Sequence, residues 1–150
     1  PVTLLAGASF FHHADSFAIV RGGHLDLCVL GAFQVAANGD LANWSTDAEG
    51  AIPGVGGAMD LAVGAKSVYV MTDHCTKQGA PKIVDRCSYP LTGCAVVTTI
   101  FTDLAVIDVT ARGLIVRELM QTIDFAALQS RTGAPLQAAA DLRRLDPPKL

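Results

Sequence analysis

The sequence has few charged residues and no long apolar run. Charged side chains make up 17% of the 150 residues and the net charge is −3, although 51% of the residues are hydrophobic. The basic footprint of a nucleic-acid-binding protein is therefore missing, and the short apolar runs predict no transmembrane helix. The length predicts one domain with a two- or three-layer core. Because charge is sparse, we expect a partner, or another part of the same protein, to cover some of the apolar surface.

Paired cysteines and the common catalytic motifs are also absent. The four cysteines form no C-x-x-C pair, which favours free thiols of a cytoplasmic protein over a disulfide framework or a zinc site. Neither a G-x-S-x-G elbow nor an H-E-x-x-H segment occurs. His12 and His13 are adjacent and would diverge by about 100° on a helix, so they cannot chelate one metal ion together. His24 and Asp26 share one face of a strand, where a structural hydrogen bond is favoured over an acid–base pair.

Strands and helices alternate in the first part of the chain. Residues 2–5 are predicted to form a strand, and a helix is predicted up to Arg21, ending at Gly22-Gly23. Residues 25–30 are almost continuously apolar, as in a strand that is buried on both faces. Asn38-Gly39 is the strongest two-residue signal for a β-hairpin.

The glycine-rich stretch at residues 53–60, P-G-V-G-G-A-M-D, leads into a predicted helix over residues 57–65 and a strand over residues 67–71. A strand, a glycine-rich turn, a helix and a strand form the signature of a βαβ unit with parallel pairing. Bare glycine backbone at a helix start can present free N–H groups to a phosphate, a carboxylate or an oxyanion. From these eight residues alone, a tight turn without a ligand is slightly favoured.

The C-terminal part contains three successive strand predictions and one short helix. The strands cover residues 96–101, 104–109 and 114–119. The helix covers residues 124–132, with Asp124 as its cap and Gly133 as its stop. We expect an α/β fold with an open, largely parallel sheet, flanked by helices, and antiparallel hairpins toward the C-terminus. Residues 1–136 form the predicted domain, and residues 137–150 form a predicted disordered tail.

Four motifs in the chain match a known family in the same order. They are S-F-A-I-V-R-G-G-H-L-D at residues 16–26, G-D-L-A-N-W at 39–44, the glycine-rich stretch with Leu61, and P-L-T-G at 90–93. Together they resemble the B subunit of the class I 3-oxoacid CoA-transferases, from residue 2 to about residue 132. The segment with His12 and His13 looks most like the 3-oxoadipate (β-ketoadipate) branch. The acetoacetate branch tends to carry an acidic or small residue at those positions.

The resemblance implies CoA transfer from succinyl-CoA to a 3-oxoacid, above all 3-oxoadipate. A glutamate of the B subunit attacks succinyl-CoA, which gives a mixed anhydride and then, with loss of succinate, a glutamyl-CoA thioester. The 3-oxoacid carboxylate attacks in turn and leaves as its CoA ester. The CoA thioester is a substrate, and no cofactor is implied. The implied partners are the A subunit of the CoA-transferase, together with the N-terminal segment of the B subunit, in a cytoplasmic hetero-oligomer without nucleic acid or membrane.

The resemblance also implies a set of site residues. Backbone N–H groups of the glycine turn would stabilise the oxyanion of each tetrahedral intermediate, with Gly57 as the first donor and Gly56 as the next. The implied contacts to substrate or CoA are Gly54, Val55, Ala58, Asn43, Phe11 and His12. No metal ligand is implied.

One part of the family pattern is missing from the sequence. The nucleophilic glutamate of the family lies in an E-N-G motif, and here Ala37 precedes Asn38-Gly39. Glu49, in a variable loop, and Glu118, in a late hairpin, do not replace it. The nucleophile is therefore expected upstream of Pro1. Three alternatives stay open: the B subunit of an acetoacetate CoA-transferase, a catalytically silent domain of the same fold, and a related enzyme that hydrolyses or cleaves a CoA thioester.

Overall fold

The computed structural model describes residues 2–46, 54 and 56–146. Its helices are α1 (His13–Arg21), α2 (Ala58–Gly64) and α3 (Phe125–Ser130). The strands within these residues are, in chain order, β1 (Leu25–Leu30), β2 (Gln34–Ala36), β3 (Leu41–Ala42), β4 (Ala65–Met71), β5 (Ile83–Val84), β6 (Thr99–Phe101), β7 (Ala105–Thr110), β8 (Gly113–Met120) and β9 (Leu136–Leu145). Across the described part of the chain, no helix is long and apolar enough to cross a membrane.

The described strands form two sheets. The larger sheet has the order β1-β4-β6-β7-β8-β9, and the smaller one has the order β3-β2-β5. In the larger sheet, β1, β4 and β6 are parallel, β7 is antiparallel to β6 and β8, and β9 is parallel to β8. This arrangement confirms the α/β fold, with parallel strands followed by antiparallel hairpins.

Helix α2 connects the two halves of the predicted βαβ unit. Strands β1 and β4 pair in parallel, with Leu25 opposite Ala65. Ala62 of α2 is buried, and the Cys28 thiol of β1 donates a hydrogen bond to the Leu61 carbonyl at 3.5 Å. The predicted parallel pairing is therefore confirmed, and α2 packs on the Cys28 side of the sheet.

The two faces of the larger sheet differ in burial. The core side carries fully buried aliphatic side chains, among them Val70, Ile100 and Ile107. On β1, however, Leu27 and Val29 are 42% and 52% exposed. The prediction that β1 is buried on both faces is wrong, because α2 packs on the Cys28 side of β1 and leaves the opposite side, with Leu27 and Val29, exposed.

Two predictions near the ends of the sequence are also wrong. Residues 2–5 pair with no described strand and are exposed, so their apolar pattern does not produce a strand. Residues 136–145 form β9 instead of a disordered tail, with Leu114 opposite Leu136 and Glu118 opposite Arg143. Backbone pairing with the edge of β8 and side-chain hydrogen bonds of Arg143 and Arg144 hold this strand, although most of its side chains are exposed. Residues 147–150 lie outside the described residues.

Three local predictions between these ends are confirmed. Strands β2 and β3 form a hairpin around Asn38-Gly39, where Gly39 has a φ of +89°. Helix α1 ends at the predicted glycine pair. The Asp124 carboxylate accepts a hydrogen bond from the Ala127 N–H at 2.7 Å and caps α3 as expected. Strand β6 begins later than predicted, at Thr99.

Candidate active site

Helices α1 and α2 border an open cavity of about 460 Å³ beside the glycine turn. The described residues that line it are His13, Ala14, Phe17, Arg21, Gly56, Gly57 and Asp60. The cavity therefore lies at the place where the sequence predicted an anion-binding loop. It joins two segments that are about forty residues apart in the chain.

Three side chains of α1 form one wall of this cavity. His13, Phe17 and Arg21 are spaced four residues apart, so they share one face of the helix. The rings of His13 and Phe17 meet edge to face with centroids 5.0 Å apart. The guanidinium carbon of Arg21 lies 5.7 Å from the centroid of the Phe17 ring. This row places an aromatic ring and a cation beside the glycine turn.

An ion pair joins α1 to the first turn of α2. Arg21 Nε donates to Asp60 Oδ1 at 2.7 Å, and Arg21 Nη2 donates to Asp60 Oδ2 at 3.2 Å. The hydrogen bond from Arg21 holds the pKa of the Asp60 carboxyl below its usual value. Because the two side chains are 66% and 29% exposed, the pair is open to solvent at the cavity rim.

The glycine turn approaches the aromatic wall closely. Gly56 has a φ of +50°, which favours glycine, and Gly57 is the N-terminal cap residue of α2. A methyl group on Gly57 would lie 2.7 Å from Cζ of Phe17, so any side chain there must displace the ring or the turn. The N–H groups of Gly56 and Gly57 have no acceptor among the described residues. Both glycines line the cavity.

The other predicted residues of this turn differ in their availability. The Gly54 N–H donates to the Trp44 carbonyl at 3.1 Å and is therefore already used. Ala58 is the first residue of α2 and is partly exposed. Val55, together with Pro53, lies outside the described residues.

The predicted aromatic and histidine contacts lie beside the cavity instead of in its lining. His12 is the N-cap of α1, and its Nδ1 accepts a hydrogen bond from the Ala14 N–H at 3.1 Å. Phe11 precedes it and is exposed. The sequence reasoning missed His13, Phe17, Arg21 and Asp60 as lining residues. The four-residue spacing on α1, and the place of three of these residues inside the matched motifs, was the signal that could have found them.

Asn43 joins the segments that carry the matched motifs. Its side-chain amide donates to the Gly31 carbonyl at 3.1 Å and accepts a hydrogen bond from the Thr92 hydroxyl at 2.6 Å. The neighbouring Trp44 indole donates to the Leu91 carbonyl at 3.1 Å. These bonds bring G-D-L-A-N-W and P-L-T-G together. The Asn43 amide thus positions loops, and its contact with a substrate stays a prediction.

The Asp26 carboxylate of the His24–Asp26 pair considered from the sequence has Lys66 as its partner. Asp26 accepts a hydrogen bond from Lys66 Nζ at 2.6 Å, which lowers the pKa of the Asp26 carboxyl. In the ranges that the structure describes, no group of three or more His, Cys, Asp or Glu residues could hold a metal ion. All four cysteines are free thiols.

A second polar cluster surrounds His74, which is only 1% exposed. Its Nδ1 lies 3.1 Å from the Thr102 hydroxyl, and its Nε2 lies 2.9 Å from the Thr132 hydroxyl. The backbone N–H of His74 donates a hydrogen bond to Asp103 Oδ1 at 2.8 Å. Burial lowers the pKa of the imidazole, and the charge of Arg131 lowers it further, whereas Asp103 raises it. The cluster joins the loop after β4, the β6–β7 turn and the end of α3, and it shares no residue with the cavity lining.

The sequence comparison decides the family. The Coenzyme A transferase family model matches residues 1–128 of the chain. The chain belongs to the coenzyme A transferase family. The B subunit of 3-oxoadipate CoA-transferase from Pseudomonas putida is 64% identical over 135 residues, which are 90% of this chain and 63% of that protein. The B subunit of succinyl-CoA:3-ketoacid coenzyme A transferase from Helicobacter pylori is 46% identical over 136 residues, 91% of this chain and 65% of that protein.

The chain therefore spans a little less than two thirds of the length of these CoA-transferase relatives. The fold agrees with the family. An acyl-CoA transferase from Escherichia coli O157:H7 superposes with a TM-score of 0.80 at 17% identity, covering 92% of this chain and 31% of that one. The decarboxylase AibA/AibB gives a TM-score of 0.67 at 20% identity, covering 91% of this chain and 58% of that one. Since one of these enzymes is a transferase and the other a decarboxylase, the shared fold by itself does not define the chemistry.

Proposed function

We propose that this chain takes part in CoA transfer from succinyl-CoA to 3-oxoadipate, as part of the B subunit in a hetero-oligomer with the A subunit of the CoA-transferase. The identity of 64% to the corresponding subunit of a 3-oxoadipate CoA-transferase, against 46% to that of a succinyl-CoA:3-ketoacid enzyme, carries this choice of acceptor. The CoA thioester is the substrate, and the chemistry that we propose uses no bound cofactor.

The glycine turn supplies electrostatic stabilisation in this proposal. Attack on a thioester carbonyl, or on an acyl carbon of the mixed anhydride, creates an oxyanion that needs hydrogen-bond donors. The N–H of Gly57, followed by that of Gly56, takes this role, because both point to no described acceptor and both line the cavity. Loss of one such donor costs about 3 kcal/mol of transition-state stabilisation, or roughly 100-fold in rate.

The other predicted contacts to substrate or CoA remain part of the proposal. Phe11 and His12 lie at the exposed start of α1, and Ala58 begins α2. Gly54, Val55 and Asn43 are the further proposed contacts with substrate or CoA. For Gly54 the contact uses close backbone approach, since its N–H is bonded to Trp44.

The nucleophile in this proposal lies in a segment of the B subunit outside residues 1–150. The sequence contains two glutamates, Glu49 and Glu118. Glu118 accepts a hydrogen bond from Arg143 Nη2 at 2.7 Å, on the β8–β9 side of the sheet. Glu49 lies outside the described residues. Since neither glutamate belongs to an E-N-G motif, the thioester in this proposal forms on a glutamate of that further segment.

An assay of the reconstituted complex tests the proposal. We expect succinyl-CoA-dependent formation of an acyl-CoA, with a higher kcat/KM for 3-oxoadipate than for acetoacetate. A higher kcat/KM for acetoacetate would assign the chain to the acetoacetate branch. CoA release that does not depend on an acceptor would indicate a hydrolase.

Trapping of the intermediate locates the nucleophile. With succinyl-CoA present, hydroxylamine or borohydride should modify one glutamate, and peptide mass analysis should place it outside residues 1–150. Modification within these residues would contradict the proposal. A complex that contains an upstream E-N-G segment but forms no thioester would indicate a catalytically silent domain, the alternative that the missing nucleophile suggests.

A further inference from the structure

We propose that Arg21 is a positioning residue for the oxyanion donors, acting through Asp60 and Phe17 to hold the Gly56–Gly57 backbone in place. The inference rests on the proposed CoA transfer and assigns a role that the matched motifs do not state. Three observations carry it: the geometry of the ion pair, the contact of Phe17 with the turn, and the absence of a side-chain cap on α2.

The geometry of the ion pair fixes the orientation of the Arg21 and Asp60 side chains relative to each other. Two hydrogen bonds, of 2.7 Å and 3.2 Å, join the Nε–Nη2 edge of Arg21 to both oxygens of Asp60. Such a two-point pair restricts the rotation of both side chains, which a single contact does not. Arg21 is the last residue of α1, and Asp60 is the third residue of α2. The pair therefore fixes the first turn of α2 against the end of α1.

The first turn of α2 has no side chain of its own to hold it. Its cap residue is Gly57, which makes no side-chain capping hydrogen bond. Asp60 lies three residues beyond Gly57, or roughly one helical turn. Because an uncapped first turn frays readily, an external anchor on Asp60 directly limits the motion of the Gly57 N–H.

Phe17 extends the same anchor to the turn itself. The Arg21 guanidinium lies over the Phe17 ring, and the edge of that ring lies against Gly57. At the other end of α2, Gly64 packs on the Val20 backbone so closely that a methyl group there would collide with the Val20 carbonyl. Helix α2 is thus fixed at both ends, and Arg21 supports the end that carries the donors.

The exposure of the Arg21–Asp60 pair distinguishes a positioning role from a contribution to the free energy of unfolding. Both side chains of the pair are partly open to water, where ion pairs contribute little to the free energy of unfolding. The chain offers a matched pair for comparison: Lys66 Nζ lies 2.6 Å from Asp26 Oδ1 and joins β4 to β1, with neither residue in the cavity lining. If loss of a surface ion pair acted only through electrostatics, it would change kcat and stability equally for both pairs.

The test uses the reconstituted complex with Arg21→Met, Asp60→Asn, the double variant and Lys66→Met as the control. We expect Arg21→Met and Asp60→Asn to lower kcat by about 10- to 100-fold, because a misplacement on the order of 1 Å can cost that much. KM for succinyl-CoA should change less than about twofold, since a donor to the oxyanion acts mainly in the transition state. The thermal midpoint should match that of Lys66→Met, which keeps its kcat.

Two further readouts identify the mechanism. The double variant should be no slower than the slower single variant, because both changes remove one pair. Arg21→Lys should not restore kcat, since a lysine cannot bind both carboxylate oxygens side by side. Amide hydrogen exchange should accelerate at residues 57–60 in Arg21→Met and stay unchanged in Lys66→Met.

Specific outcomes would overturn the proposal. The proposal is wrong if Arg21→Met or Asp60→Asn keeps the wild-type kcat. It is also wrong if the losses in the double variant are additive, or if amide exchange at residues 57–60 is unchanged. A rise in KM with unchanged kcat would make Arg21 a substrate contact instead. If the wild-type complex transfers no CoA, the proposed function itself fails, whereas an active wild type with unaffected variants removes only this inference.

Discussion

The cavity between α1 and α2 and the His74 cluster use polar groups in opposite ways. At the cavity, the Gly57 N–H has no described acceptor and the Arg21–Asp60 pair is open to solvent. At the cluster, His74 is buried and both of its ring nitrogens have hydroxyl partners. One region contains backbone donors without a described acceptor, and the other pairs each polar atom of a buried ring. We therefore expect that function and stability can be changed separately in this fold.

The largest expected effect is on stability, at His74. His74→Ala leaves a cavity and removes the partner of two hydroxyl groups, so we expect the free energy of unfolding to fall by about 3 kcal/mol. Urea unfolding of the complex measures this loss. The kcat of the protein that stays folded should be unchanged, since the ring belongs to a cluster that shares no residue with the cavity lining. A selective loss of kcat at full stability would remove the distinction between the two regions.

The reverse effect is expected at Gly57. Gly57→Ala places a methyl group against the Phe17 ring and shifts the turn, so kcat should fall by roughly 100-fold. The loss of stability should be smaller than for His74→Ala. The control is Phe17→Ala/Gly57→Ala, in which the clash is absent. If the fold-loss of kcat in this double variant equalled the product of the fold-losses in Phe17→Ala and Gly57→Ala, steric displacement of the turn would not be the cause.

A smaller effect on stability is expected at Thr132. Its hydroxyl lies 2.8 Å from the Leu128 carbonyl and 2.9 Å from His74 Nε2. Thr132→Val keeps the shape and leaves His74 Nε2 without this partner, which should lower the free energy of unfolding by about 1–2 kcal/mol. Thr132→Ser, which retains the hydroxyl, should lose less. Equal losses in the two variants would show that the methyl group matters more than the hydrogen bond.

The smallest effect is the pH dependence of stability. Because the pKa of folded His74 is lowered, the unfolded chain takes up a proton first as the pH falls. His74 therefore contributes its full stability above the unfolded pKa of about 6.5 and loses it as the pH falls toward the folded value. Denaturant midpoints between pH 8 and pH 5 should show a decline that is reduced in His74→Gln. An identical slope in that variant would assign the decline to other groups.

Much of the fold was predictable because its signals are local. The Asn38-Gly39 hairpin, the Asp124 cap and the glycine pair after α1 depend on neighbours within a few residues. The parallel pairing of β1 with β4 followed from the order of elements. The glycine turn was found as the centre of the candidate site for the same reason, since bare backbone at a helix start is visible in sequence.

The incorrect predictions share a different cause. Residues 2–5 have a strand-like pattern and no partner among the described strands, whereas residues 136–145 lack such a pattern and pair with β8. The exposure of Leu27 and Val29 depends on which side of the sheet α2 covers. Pairing and burial are properties of distant neighbours, which the local pattern does not contain.

The sequence by itself determined the family, the order of elements and the position of the glycine turn. Only the tertiary structure brought Arg21 to Asp60, which is 39 residues further along the chain, and Phe17 to Gly57. It also left the Arg21–Asp60 pair exposed at the cavity and buried His74 with its hydrogen bonds. The physical reason is that backbone conformation follows from adjacent residues, whereas contacts between side chains follow from how helices and strands pack together.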